Sequence, residues 1–362
     1  MRVTEVVQAD SSNVQGGTVG QVGTPSGGLS RTMRTVVPLI TVLATALLAI
    51  GLYLSWRMGH GIEWSGSVVP LLPLMVALGV GSYGARFARW HVLVRRLAPQ
   101  LSMPVSLSIY MAGFAMGLTP GRVGEFLKFS LLRERMGVAE VESFSIFPVE
   151  RATEAAGFLG LAIVGALFGH LQLHKVGLGS LVTIAVLPCL AALALLLRFI
   201  TQRRRGNTFG PARGRLDGAL RGLLTVAGAR ALIPALACAA LARCFDATLF
   251  FTATRAVGLS VSLPGAAMAW GLAGLVGGLS LLPAGVGAVE ASLVATVIGL
   301  GGDGATALAA ALLARIMTLW LWIPPGLWLA FHSVRQSASL PAEAPMAGDS
   351  AAIGPSSTDP LS

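Results

Sequence analysis

Charged residues recur at matching places in two apolar stretches of this chain, each time beside a break made of proline and glycine. In both copies a glutamate ends the break, and an arginine follows 26 or 25 positions later. The two copies read PGRVGE at residues 120–125 with Arg151, and PAGVGAVE at residues 283–290 with Arg315. Charges within membrane-length apolar sequence are costly, and they usually mark a transport path or a binding site. The repeat therefore predicts a duplicated site inside a membrane.

The two breaks are expected to interrupt helices near the centre of the protein. Proline removes a backbone donor, and glycine lets the chain turn and pack closely. The residues that make the breaks are Pro120, Gly121, Gly124, Pro283, Gly285 and Gly287. Each helix that restarts after a break presents free N–H groups and a partial positive charge. Broken helices at matching places in two halves indicate the binding centre of a transporter.

Three arginines and four glutamates around the breaks form the candidate substrate site. A guanidinium grips a phosphate with paired donors, and glutamates balance the arginines while the site is empty. Glu150 and Glu154 share one face of a helix at i,i+4 spacing, so at least one of them needs a cationic partner. The predicted substrate-binding residues are Arg122, Glu125, Glu150, Arg151, Glu154, Glu290 and Arg315.

Structural roles would explain the same charges without any substrate. Glu125 and Glu290 can cap the restarting helices or pair with an arginine to lock the fold, since buried ion pairs are often structural. Arg122 can be an interfacial arginine whose charge reaches water. Arg243 and Asp246, at i,i+3 spacing in a later apolar stretch, most simply form a local pair. Both interpretations remain open at the level of the sequence.

The composition is typical of a polytopic membrane protein. The 362 residues are 54% hydrophobic and only 12% charged, whereas about 25% of residues in a soluble domain are charged. We predict an all-α fold with about six spans and two re-entrant helix pairs, the first at 105–134 and the second in the uncharged stretch 256–289. The spans are expected at 35–56, 64–85, 152–169, 176–197, 231–254 and 304–331.

One transmembrane domain, residues 35–331, is predicted between two disordered tails at 1–34 and 332–362. Within this domain, residues 64–169 and 231–331 are expected to be inverted repeats. The tripeptides Val105-Ser106-Leu107 and Val261-Ser262-Leu263 look like matching entry points of the two re-entrant pairs.

Arginine-rich loops set the predicted orientation in the bilayer. Arg86, Arg89, Arg95 and Arg96 follow the second span with no acidic residue among them, which is typical of a cytoplasmic loop. Trp90 then reads as an anchor at the membrane interface. These loops predict that both termini are cytoplasmic, and they explain the net charge of +10 without nucleic acid as a partner.

The chain carries no pattern typical of catalysis. No nucleophile–base set, phosphate-binding glycine loop, zinc spacing or dinucleotide motif stands out. We therefore expect no enzyme activity, no metal and no cofactor.

The motifs around the breaks resemble a known family. TPGRVGE at 119–125, Lys128, Glu150-Arg151 and Glu154 are similar to the first half of its pattern, and LPAGVGAVEA at 282–291 with Arg315 is similar to the second. The family is the flippase-like membrane domain of lysylphosphatidylglycerol synthases, which also occurs in a stand-alone form. The resemblance covers about 35–331. Departures are Glu154, Lys128 and Ala284, where aspartate, arginine and glycine are usual.

The resemblance implies an integral membrane protein that moves lipids or lipid-linked groups between leaflets. No soluble aminoacyl-transferase segment follows the apolar core in this sequence, so lysyl transfer to lipid is not expected. We predict a lipid flippase-like transporter of a bacterial inner membrane whose ligand is an anionic or phosphate-bearing headgroup, and a lipid-synthesis enzyme is a possible partner. The alternatives are a membrane transferase acting on a lipid-linked substrate and a scaffold of a lipid-synthesis complex.

Overall fold

The computed structural model describes residues 68–117, 125–168, 222–223, 225–280 and 282–338, and within these ranges the regular secondary structure is entirely helical. Several predictions concern residues outside this part of the chain. They are the spans at 35–56 and 176–197, the N-terminal tail, and Pro120, Gly121, Arg122 and Gly124 of the first break.

Ten α-helices and two 3₁₀ turns make up the described part of the chain. Before the gap at 169–221 the helices are α1 (Val68–Val94), α2 (Met103–Met116), α3 (Leu127–Met136), α4 (Glu140–Ser143) and α5 (Ile146–Phe168). After it they are α6 (Ala229–Ala256), α7 (Leu263–Leu279), α8 (Ala288–Gly299), α9 (Gly304–Thr318) and α10 (Ile323–Ala338). The 3₁₀ turns are Pro283–Gly285 and Trp320–Trp322.

Among the described residues, four helical segments are long and apolar enough to cross a membrane: Val68–Val94, Glu140–Phe168, Arg230–Ala256 and Gly304–Leu329. They match the predicted spans that fall within the described residues, although α1 continues well past residue 85. Helix α10 likewise runs beyond 331, where we placed the end of the domain. Helix α7 has 17 residues, which gives about 25 Å at 1.5 Å per residue, less than the roughly 30 Å of a hydrocarbon core.

The short helices α2 and α7 begin in the same way, but not at the tripeptides that we matched. Each starts after a serine in an extended conformation with a proline in its first turn, namely Ser102 before α2 and Ser262 before α7. The Ser262 hydroxyl accepts the backbone N–H of Gly265, as an N-cap does. Ser106 lies inside α2 instead. The matching of Val105-Ser106-Leu107 with the segment around Ser262 was therefore wrong by one helical turn.

The second break forms where the sequence predicts it. Leu282 is extended, Pro283 opens the 3₁₀ turn, and Ala284, Gly285 and Gly287 all have positive φ values of 49°, 68° and 88°. Glycine adopts this left-handed conformation without steric cost, whereas alanine does not. The chain thus turns sharply between α7 and α8 before the helix resumes.

The helices of the two halves interleave. The long helices α1 and α6 pack along each other, α5 packs against α7, and α2 packs against α10. The short helix of each half thus contacts the last helix of the other half. This exchange brings the second break, and the helices that follow the first break, into one bundle with the α1–α6 pair.

Glycines bring α5 and α7 into backbone contact. A Cβ added at Gly271 would lie 2.6 Å from the backbone nitrogen of Ala162, and one added at Gly165 would lie 2.6 Å from the carbonyl oxygen of Pro264. Real Cβ atoms do not approach backbone so closely, so no other residue fits at this crossing without moving a helix.

We expect Gly165→Ala to lower the thermal stability of the purified protein, because the added methyl group overpacks the α5–α7 crossing, at a cost of about 1–3 kcal/mol. Gly160→Ala on the same helix is the matched control, since nothing lies within 4 Å of a Cβ there. Alanine is also the better helix former. Thermal unfolding in detergent measures both variants, and equal stability of the two would contradict this account of the packing.

Candidate functional site

A cavity of about 590 Å³ lies between the helices of both halves and is lined by charged side chains from five of them and by Glu125, which precedes α3. The basic residues that line it are Arg86 and Arg89 of α1, Lys128 of α3, Arg151 of α5, Arg243 of α6 and Arg315 of α9. The acidic residues that line it are Glu125, Glu150 and Glu154. Its remaining walls are mostly apolar, with Phe114, Phe147, Phe158, Trp270 and the glycine-rich end of α7.

Arg151 lies between two carboxylates at the first break. Its Nη1 is 2.8 Å from Glu154, one helical turn along α5, and its Nη2 is 3.5 Å from Glu125. The 25- or 26-residue spacing of glutamate and arginine therefore corresponds to a real ion pair in this half. The Arg151 side chain is 29% exposed, and its buried Nε has no acceptor. A guanidinium in this state can still bind another anion.

Arg315 is held far more tightly at the second break. Its Nε donates to Glu290 at 2.7 Å, and its Nη2 donates to the carbonyl oxygen of Ala284 at 2.8 Å. Glu290 also accepts the backbone N–H of Gly287 at 2.7 Å, so it caps α8 and pairs with arginine at once. Arg315 lines the cavity while Glu290 lies behind it. The structural role that the sequence left open for Glu290, capping a helix and pairing with an arginine, is thus seen in these contacts.

Glu150 pairs with a lysine rather than with Arg151. Lys128 Nζ lies 2.5 Å from Glu150, and both side chains are almost fully buried. The ammonium also stacks over the ring of Trp90, 4.6 Å from its centroid, which stabilises the charge further. Glu150 and Glu154 therefore each have a cation of their own, as their spacing on one helix face requires.

Asp246 accepts hydrogen bonds from three side chains on two helices at the middle of the bundle. It accepts from Arg243 of its own helix at 3.1 Å, from Arg86 of α1 at 2.7 Å, and from the hydroxyl of Ser82. The predicted local pair of Arg243 and Asp246 is confirmed, but it belongs to a larger network. Asp246 is completely buried and Arg243 is 2% exposed. Both lie near the midpoint of α6, a candidate membrane span.

Arg86, Arg89 and Trp90 do not form the interfacial cluster that the sequence analysis predicted. Helix α1 continues to Val94, so both arginines lie on the helix and line the cavity, and Trp90 is fully buried. Ser82, Arg86 and Arg89 are spaced i, i+4 and i+7, which places them on one face of a helix. That spacing was the signal that would have identified a polar helix face.

The structure thus brings together most of the predicted site residues and adds others. Five of the seven line the cavity, namely Glu125, Glu150, Arg151, Glu154 and Arg315. Glu290 pairs with the lining residue Arg315 but is not part of the lining itself. Arg122 is outside the described residues. The additional charged residues are Arg86, Arg89, Lys128, Arg243 and Asp246. Within the described ranges, no three His, Cys, Asp or Glu side chains come together as a metal site would require.

The charges of the cavity favour an anionic ligand. Among the described residues, six cations and three carboxylates line it. Asp246 and Glu290, which pair with lining arginines from behind, still leave one cation in excess. Because charges in a low-dielectric interior interact strongly, the unbalanced cation attracts an anion into the cavity.

Asp246→Asn should destabilise the protein strongly, by about 3–5 kcal/mol, because it leaves Arg86 and Arg243 buried without their shared carboxylate. The same substitution at Asp303 is the control. Asp303 caps α9 on the exposed surface by accepting from Thr306, and asparagine caps a helix equally well. Thermal unfolding in detergent compares the two variants, and a near-neutral Asp246→Asn would contradict the role assigned to the network.

Comparison with known proteins agrees with the fold and the resemblance. A search of curated proteins found no match. The family model described as the lysylphosphatidylglycerol synthase TM region matches residues 42–326, most of the chain. This match covers both breaks and every residue that lines the cavity, and with the apolar helices it identifies a multi-pass membrane protein. The predicted family is confirmed: the chain belongs to the family of the lysylphosphatidylglycerol synthase TM region.

Proposed function

We propose that this protein is a flippase-like transporter that carries an anionic, phosphate-bearing lipid headgroup across a bacterial inner membrane. The observation that carries the proposal is a cavity with an excess of cations, set among helices that are long and apolar enough to span a bilayer. Charged residues within such helices are expensive unless they serve a path or a site. A membrane domain of this family has lipids as its surroundings and as its most accessible ligands.

The cavity fits a ligand with one polar and one apolar end. Its charged side lies along α1, α5 and α6, while Leu279 and Leu282 line it near the second break. Both leucines are 45% exposed. A headgroup can therefore bind among the arginines while its acyl or prenyl chain leaves past these leucines into the bilayer.

Arg151 is the residue that we expect to contact the headgroup first at the first break. Two glutamates hold it in the empty state, yet it remains partly exposed and keeps an unpaired donor. An incoming phosphate can take over one of these pairings, because a guanidinium binds phosphate with two parallel hydrogen bonds. Arg122, beside Glu125 in sequence, is proposed as a further headgroup contact.

We further propose that α2 and α7 are parts of re-entrant pairs and that the two halves are inverted repeats, with both termini cytoplasmic. The exchanged packing of α2 with α10 and of α7 with α5 supports this arrangement. In transporters of this kind, rocking of the halves about a central site exposes it to each side in turn. Transport of this kind needs no catalytic residue. A lipid-synthesis enzyme would supply the lipid that the protein carries.

Headgroup translocation in proteoliposomes tests the proposal. Wild-type protein is offered phosphatidylglycerol, an aminoacylated phosphatidylglycerol and a polyprenyl phosphate. We expect it to move at least one of them, and we expect Arg151→Ala and Glu125→Gln to slow that movement at least about 10-fold, since hydrogen bonds between charged groups contribute about 1.5–3 kcal/mol.

Arg133→Ala is the control for these variants, because Arg133 lies outside the cavity and its side chain is 62% exposed. It should transport like the wild type. If correctly folded protein moves none of the three lipids, with or without a proton gradient, the proposal fails. The transferase or scaffold alternative would then replace it.

A further inference from the structure

Three side chains that line the cavity carry buried N–H donors that have no acceptor. They are Nε of Arg89, Nε and Nη2 of Arg243, and Nε1 of Trp270. All three side chains line the cavity, and their exposures are only 3%, 2% and 5%. Buried polar groups in proteins almost always have hydrogen-bond partners, so each exception needs an explanation. Four such donors around one cavity suggest that a ligand supplies the acceptors.

Arg89 and Arg243 belong to the wall formed by α1 and α6, which concentrates the positive charge of the cavity. Arg86 and Arg243 share the single carboxylate of Asp246, and no described carboxylate lies within ion-pairing distance of Arg89. This wall therefore has three cations and one anion. Elsewhere in the cavity the cations have their own partners: Glu150 for Lys128, Glu290 for Arg315, and two glutamates for Arg151. The α1–α6 wall by itself thus carries two positive charges in excess, while the other groups carry one negative charge in excess, and together they leave the one surplus cation of the whole cavity.

Arg243 is fixed in an orientation that suits an oxyanion. Its Nη1 binds Asp246, and its guanidinium lies over the ring of Phe158, 4.2 Å from the centroid. The edge that carries Nε and Nη2 is left unpaired, and this edge matches two phosphate oxygens. Arg86 and Arg89 act on Arg243 electrostatically, and so do the carboxylates of Asp246 and Glu154, so the three arginines attract an anion to this edge against two carboxylates.

We propose that Arg89, Arg243 and Trp270 form a subsite for a phosphate that carries two negative charges, as a phosphomonoester does. This assignment rests on the proposed function and refines it, because it distinguishes lipids by the charge of the terminal phosphate. A dianionic phosphate neutralises the two surplus charges, and its oxygens satisfy the four donors. A phosphodiester brings one charge fewer and leaves one cation uncompensated.

Binding to the purified full-length protein in detergent at pH 8 tests the subsite. Phosphatidic acid, a phosphomonoester, is compared with phosphatidylglycerol, a phosphodiester, with identical acyl chains. We expect the wild type to bind phosphatidic acid at least about 10-fold more tightly. Arg243→Gln and Arg89→Gln should each weaken its binding about 10- to 100-fold and remove the preference, since each loses charged hydrogen bonds.

Trp270→Phe keeps the ring and removes only the N–H, so it tests the subsite with little risk to the fold. It should weaken phosphatidic acid binding about 3- to 10-fold. Trp328→Phe, at a position 65% exposed and outside the cavity, should have no effect. Equal binding of the two lipids by the wild type, or unchanged binding by Trp270→Phe and Arg89→Gln, would overturn the subsite.

Inorganic phosphate is the probe that separates a lipid from a soluble anion. If it binds as tightly as phosphatidic acid and depends on Arg243, the subsite stands and its assignment to a lipid is overturned. The translocation assay distinguishes a failure of the transporter proposal from a failure of the subsite proposal. Selective binding without translocation would overturn the transporter alone, whereas translocation that Arg243→Gln and Arg89→Gln leave unchanged would overturn the subsite alone.

Discussion

Asp246 has no access to water, and two arginines and a serine from two helices converge on it at the middle of the bundle. A charge this deep in an apolar protein needs a partner, because leaving it unpaired would cost several kcal/mol. The shared carboxylate fixes the register of α1 against α6, the long pair around which the other helices pack. It also sets the orientation of Arg243 and thereby one wall of the cavity. Much of the site geometry therefore depends on a single buried anion.

The two breaks repeat the same residues but differ in what these residues do. At the second break, Arg315 donates hydrogen bonds to Glu290 and to the carbonyl oxygen of Ala284. The second of these bonds holds the strained backbone of Ala284 in place. At the first, Arg151 is partly exposed, lies between two carboxylates and keeps an unpaired donor. The second copy thus locks the fold, while the first retains a guanidinium that can exchange partners. In the proposed function, the second copy supports the structure and the first copy contacts the ligand.

The sequence was sufficient for the helical class, the described spans, the second break and the two glutamate–arginine pairs. These features follow from hydropathy and from the cost of charge in apolar sequence, which act over a few residues. The roles of Arg86 and Arg89 were missed because a run of arginines after an apolar stretch is typical of a membrane boundary. The spacing of Ser82, Arg86 and Arg89 indicates a polar helix face, but their partner Asp246 lies 160 positions from Arg86, and no local pattern identifies it. Lys128 and Glu150 likewise meet through packing that no local pattern encodes.

Cavity occupancy by an anionic headgroup is the central claim, and thiol labelling in bilayers measures it directly. In a chain without its native cysteines, Ala155→Cys places a thiol on the cavity wall, and Ser102→Cys places a control thiol on the exposed segment before α2. A neutral maleimide should label the cavity thiol at least several-fold more slowly in bilayers rich in anionic lipid than in bilayers of phosphatidylcholine alone. It should label the control thiol equally in both. Equal labelling of the cavity thiol in the two bilayers would contradict the account.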